Sequence, residues 1–108
     1  TSGPFCAGPE YERGWRSARE DGADLVDEHY YQSPEWFVAH HHRYDGFPEG
    51  PKVFLGEYAA KGNAWRNALA EASFMTGLER NARSVGLACY APLLWGLLQL
   101  AAQYDLVR

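Results

Sequence analysis

Residues 51–58, Pro51-Lys52-Val53-Phe54-Leu55-Gly56-Glu57-Tyr58, are a short apolar run that opens after a proline and closes on a charged group. Apolar runs of this length, bounded by breakers, read as buried strands, here Lys52 to Tyr58. A helical pattern follows. Asn63 is placed to cap a helix in which Trp65, Leu69, Ala72, Met75 and Leu78 succeed one another by three or four residues. Val85 to Ala91 reads as another strand before Pro92.

Upstream the alternation repeats. Asp24 to Tyr31 reads as a strand. Ser33-Pro34-Glu35 then starts a helix, with serine as cap, proline in the first position and glutamate near the positive helix end. That helix is expected to run to about Tyr44, and Asp45 to Pro51 is a loop punctuated by Gly46, Pro48, Gly50 and Pro51. Pro9 to Asp21 has Tyr11, Trp15 and Ala18 at helix spacing and Gly22 as its stop, and Thr1 to Pro9 is a Gly/Pro-rich loop. Strands alternating with helices imply parallel pairing and an α/β fold, because each return crossover needs a helix. Three such units leave strand edges open. The chain is therefore expected to be a small open sheet or a sector of something larger. Its 108 residues suffice for one small domain, against the roughly 250 of a closed eightfold β/α barrel. The first residue is Thr1 rather than methionine, which points to a start further upstream.

The composition is globular, 46% hydrophobic and 15% aromatic. A net charge of -4 gives no reason to expect nucleic acid or an anionic membrane surface. No apolar run approaches the ~18 residues of a membrane span. Cys6 and Cys89 have no metal-ligand spacing and read as two buried thiols. Four Trp and seven Tyr suit sugar faces and an ordinary core equally well.

Parallel α/β architectures gather functional groups at the carboxyl ends of their strands. Two strands here end in polar residues, Asp27-Glu28-His29-Tyr30-Tyr31 and Gly56-Glu57-Tyr58. Alternation puts Leu25, Asp27, His29 and Tyr31 on one face, and likewise Val53, Leu55 and Glu57 on one face. If the apolar members face a barrel interior, His29, Tyr31 and Glu57 face its mouth. A carboxylate beside a histidine and a tyrosine is a usable glycosidase site. The competing reading is that Glu57 simply pairs with Arg66 or Lys61 near the surface. Glu28 has the opposite parity and faces the helices or solvent. His40, His41 and His42 lie about 100° apart on a helix and cannot converge on one ion, so no metal site is expected.

Several motifs resemble the α-L-arabinofuranosidases of glycoside hydrolase family 51. They are Asp24-Leu25-Val26-Asp27-Glu28-His29-Tyr30-Tyr31, Ser33-Pro34-Glu35-Trp36-Phe37, and Gly50-Pro51-Lys52-Val53-Phe54-Leu55-Gly56-Glu57-Tyr58-Ala59. Ala68 through Ala72, Phe74 through Asn81 and Tyr90-Ala91-Pro92-Leu93 continue the likeness, which covers residues 1–94 in order. It implies a (β/α)8 TIM barrel of which this chain carries strands six to eight with their helices. It further implies retaining hydrolysis of terminal α-L-arabinofuranosides, with Glu57 as nucleophile and His29 and Tyr31 lining the arabinose site. The implied substrates are arabinan, arabinoxylan and related glycans; separately, no cofactor, metal, nucleic-acid or membrane partner is expected. The family's general acid/base is a glutamate after an asparagine at the end of strand four, which places it upstream of Thr1. The resemblance thus makes the chain part of an enzyme and inactive alone.

After Leu94 the likeness ends. The family continues with Asn-Trp-Gln-Pro, whereas residues 95–108 read as a tail foreign to it. A one-base shift with permitted codons restores that motif, so the tail is expected to be a frameshift product. An amphipathic helix through Leu94, Leu97, Leu98, Ala101 and Ala102 is the competing reading. Two functional alternatives stay open: a barrel glycosidase for another sugar, and a non-catalytic glycan-binding module. Secretion or a periplasmic location is favoured for the parent.

Overall fold

The computed structural model describes residues 2–3 and 6–91, and side chains from Cys6 to Ala91. The expected boundary at residue 94 and the tail at 95–108 lie outside the described residues. Seven elements follow one another: β1 (Ser2–Gly3), α1 (Pro9–Glu20), β2 (Leu25–Gln32), α2 (Pro34–Ala39), β3 (Lys52–Ala60), α3 (Trp65–Arg80) and β4 (Val85–Tyr90). The strands form one sheet in the order β1-β2-β3-β4, and every adjacent pair is parallel. The expected parallel α/β arrangement is therefore present, with the two-residue β1 as an added edge piece.

The helices lie against one face of the sheet. Val26, Glu28 and Tyr30 of β2 and Val53, Leu55, Tyr58 and Ala60 of β3 are buried there. They meet Trp15 and Ala18 of α1, Phe37 of α2 and Ala70, Phe74 and Leu78 of α3. Phe37 and Phe74 pack edge to face with centroids 5.1 Å apart, and both rings approach Tyr58. Burying these aromatics supplies most of the driving force for layering helices on strands.

A buried carboxylate fixes where the helices sit. Glu28 is fully buried and accepts hydrogen bonds from Trp15 Nε1 at 2.8 Å and from the Tyr44 hydroxyl at 2.7 Å. Arg43 Nε stands 3.9 Å from it. The Arg43 guanidinium also donates to the Tyr30 hydroxyl and to the Cys6 carbonyl, tying β2 to the segments before α1 and after α2. Of its two expected directions, Glu28 thus takes the one toward the helices.

Several expectations are corrected. The helix opened by Ser33, whose Oγ accepts from Trp36 N–H, stops at Ala39 rather than Tyr44. His40 ends it: its backbone N–H donates to the Trp36 carbonyl, its Nδ1 lies 2.7 Å from the same oxygen, and its ring stacks on Trp36. The chain then turns so that Arg43 and Tyr44 reach Glu28, a tertiary demand that outweighs continued helix. Asn63 is not the cap of α3. Ala64 takes that place, and Asn67 reaches back to accept from its N–H at 3.2 Å.

The buried face of α3 is Asn67, Ala70, Glu71, Phe74, Gly77 and Leu78, whereas Trp65 and Leu69 are 79% and 55% exposed. Apolarity alone misidentified this face, because two polar residues on it are buried for their hydrogen bonds. Glu71 accepts from Ala60 N–H at 2.6 Å and from the Tyr90 hydroxyl at 3.0 Å, joining the ends of β3 and β4. The cysteines also depart from expectation. Both thiols are free, Cys6 is half-buried and Cys89 is exposed, since β4 buries only Val85 within the described residues.

Glu28→Ala leaves an indole N–H, a hydroxyl and a guanidinium without their carboxylate. The expected loss is about 3–5 kcal/mol of unfolding free energy, the size usual for breaking a buried pair. Urea denaturation measures it, and Glu28→Gln, which keeps volume and an acceptor, loses less.

Candidate active site

The opposite face of the sheet carries the candidate chemistry. Leu25, Asp27, His29 and Tyr31 of β2 project there, as alternation requires, while Val26, Glu28 and Tyr30 are buried under the helices. On β3 simple alternation fails. Leu55 pairs with Glu28, but Glu57 pairs with His29, so Gly56 is an extra residue in the ladder. A bulge of this kind places two residues opposite one and reverses the parity beyond it. Val53 and Leu55 therefore lie on the helix face, and Glu57 lies on the other. The expectation that these three share a face is corrected. Glu57 nonetheless reaches the face of His29 and Tyr31, because the bulge turns it there.

The three expected residues come together. The Tyr31 hydroxyl donates to Glu57 Oε2 at 2.7 Å, and His29 Nδ1 lies 3.8 Å from the same oxygen. That second distance is electrostatic proximity, too long for a hydrogen bond. Burial and then the bond to Glu57 push the Tyr31 hydroxyl up to about 12, so it remains a donor throughout the neutral range. Both contacts fall on Oε2, and Oε1 makes no hydrogen bond among the described residues. Pairing of Glu57 with Arg66 is not what the structure holds, since Arg66 pairs with Glu35 instead.

Asp27 was not singled out from sequence, although its parity with His29 was legible. Its Oδ2 accepts from His29 Nε2 at 3.0 Å. Its Oδ1 is buried with no hydrogen-bond partner. This carboxylate sits directly over Gly56, where an added Cβ would collide with Oδ1 and approach His29 Nε2 to 3.1 Å. The three histidines of the turn have separate partners: His40 and His41 bond the carbonyls of Trp36 and Val38, and His42 bonds Asp45.

The family model described as the α-L-arabinofuranosidase C-terminal domain matches residues 34–100, well over half of the chain. The chain belongs to the α-L-arabinofuranosidase family. The chain is 60% identical over 94 residues to an extracellular exo-α-L-arabinofuranosidase of Streptomyces chartreusis, covering 86% of the chain and 11% of that relative. It is 40% identical over 77 residues to α-L-arabinofuranosidase 1 of Arabidopsis thaliana, covering 66% of the chain and 11% of the relative. Among solved structures, an arabinose-bound α-L-arabinofuranosidase of glycoside hydrolase family 51 superposes with a TM-score of 0.63 at 38% identity. That match covers 74% of the chain and 16% of the solved one. The chain therefore spans between a tenth and a sixth of the length of these relatives.

Replacing Glu57 with Gln is expected to bring the Tyr31 hydroxyl down from about 12, leaving only the part of the rise that burial causes. In the parent, the stabilisation linked to this proton is complete below pH 10 and is lost as pH rises toward 12. Ultraviolet titration of phenolate formation, compared between parent and variant, measures the difference.

Proposed function

We propose that this chain is part of a retaining α-L-arabinofuranosidase and that Glu57 is its nucleophile. The observation that carries the reading is the seat of Glu57 at the carboxyl end of β3. There one carboxylate oxygen is held by Tyr31, near His29, and the other is free to attack an anomeric carbon. A retaining glycosidase pairs such a nucleophile with a general acid/base whose carboxyl lies about 5–5.5 Å away. Asp27 is the neighbouring carboxylate on this face, but His29 and Gly56 engage it, so it does not fill that role. The acid/base is supplied from outside these residues. Without it the leaving oxygen receives no proton, a loss of about 10²–10⁴ in rate.

The sheet is read as strands six to eight of a (β/α)8 barrel. Sequential strand order, right for a barrel and unlike the reversing order of doubly wound sheets, supports this, as do helices restricted to one face. The site face is then the barrel interior, and residues 1–94 belong to the catalytic barrel. Terminal arabinofuranosyl groups of arabinan and arabinoxylan are the proposed substrates, with His29 and Tyr31 at the sugar.

A chimera tests the proposal. The aligned 94-residue segment of this chain replaces its counterpart in the Streptomyces chartreusis enzyme, and hydrolysis of an aryl α-L-arabinofuranoside is followed. The chimera is expected to hydrolyse it with retained anomeric configuration, and Glu57→Gln to reduce the rate to background. The isolated 108-residue chain is expected to show no turnover. Full activity of the Glu57→Gln chimera would sink the nucleophile assignment.

A further inference from the structure

We propose that Asp27 is a positioning residue of this site, acting through His29, and that Gly56 lacks a side chain in order to make room for it. The proposal rests on the reading of Glu57 as nucleophile and extends it by two residues.

The argument begins at the imidazole. A carboxylate can only accept, so the 3.0 Å contact with Asp27 Oδ2 places a proton on His29 Nε2. In the neutral ring Nδ1 then carries the lone pair, because the bond made by one ring nitrogen sets the role of the other. Nδ1 faces Glu57 Oε2 at 3.8 Å. Two acceptors at that separation leave a seat for one donor group between them, and a sugar hydroxyl is the donor that the proposed substrate brings. Were the proton on Nδ1 instead, it would point at the nucleophile and compete with the substrate for its charge. Asp27 thus decides whether the ring offers an acceptor or a donor at the reacting carboxylate.

The cost of holding Asp27 there is visible. Its Oδ1 is buried without a partner, an arrangement that ordinarily destabilises a fold. The same oxygen occupies the space a Cβ at position 56 would need. Gly56 does not have a left-handed backbone, since its φ is not among the positive values. Its glycine is therefore required by space, not by conformation. One residue serves two ends: it inserts the bulge that turns Glu57 over, and its bare Cα admits the carboxylate that orients His29.

The chimera described above provides the test, with kcat and KM normalised to active sites by burst titration. Asp27→Ala is expected to lower kcat/KM about 10- to 100-fold, the size known for outer partners of metal-bound imidazoles, without lowering the unfolding midpoint. His29→Ala is expected to lose a similar amount, and the Asp27→Ala/His29→Ala pair no more than either alone. Gly56→Ala is expected to match Asp27→Ala, yet to cost little more in the Asp27→Ala background, where the collision is gone. Long-range proton–nitrogen correlation spectra of His29 supply a readout that does not depend on turnover. The parent ring should hold its proton on Nε2, and Asp27→Ala should release it to both nitrogens.

Asp27→Ala within twofold of the parent, multiplying losses with His29→Ala, or an unchanged ring tautomer would each overturn the proposal. If Glu57→Gln is inactive while Asp27→Ala is neutral, this inference alone fails. If Glu57→Gln stays active, the underlying reading fails instead.

Discussion

The extra residue in β3 is the constraint on which the site depends. Were Gly56 paired in regular register with His29, Glu57 would follow Val53 and Leu55 onto the helix face. Left unpaired as a bulge, Gly56 lets Glu57 pair with His29 on the open face, beside Tyr31. Bulges often lie next to active sites because they re-aim one side chain without disturbing the rest of a sheet. Here β2 and β3 keep pairing on both sides of the insertion, from Leu25 with Lys52 to Gln32 with Ala60.

Carboxylates on the two faces of the sheet do different work. Glu28 and Glu71, both buried, have their acceptor positions filled by Trp15 and Tyr44, and by the Ala60 amide and Tyr90. They fix helices to strands, and their satisfaction makes burial tolerable. Glu57 is 45% exposed and has one oxygen engaged. Asp27 stands between these cases, with one oxygen bonded and one buried without a partner. An incompletely satisfied group in an otherwise well-bonded region is where function outweighs stability.

Much of this was legible along the chain. Parallel α/β order, the positions of β2, β3 and β4 to within two residues and the Ser33 start of α2 follow from periodicity and capping, whose signals are local, whereas β1 falls in a stretch read as loop. The meeting of His29, Tyr31 and Glu57 was also anticipated, but for Glu57 by a parity argument that the bulge invalidates. A glycine inside a strand pattern is a bulge signal, and Gly56 carried it. The missed features are polar contacts. The stop of α2 at Ala39, the buried face of α3 with Asn67 and Glu71, and the Asp27–His29 pair all depend on which side-chain polar groups meet once the strands and helices are packed, which hydrophobic period does not report.

By itself, the sequence determined which segments are strands and helices and that they pair in parallel, because hydrophobic period and end signals act within a few residues. Its motifs also carry the family membership. Tertiary structure decided which way Glu57 points, which nitrogen of His29 faces it and which polar residues are buried. Those outcomes turn on ladder register and on hydrogen bonds between residues up to dozens apart, and neither is written in any local stretch of chain.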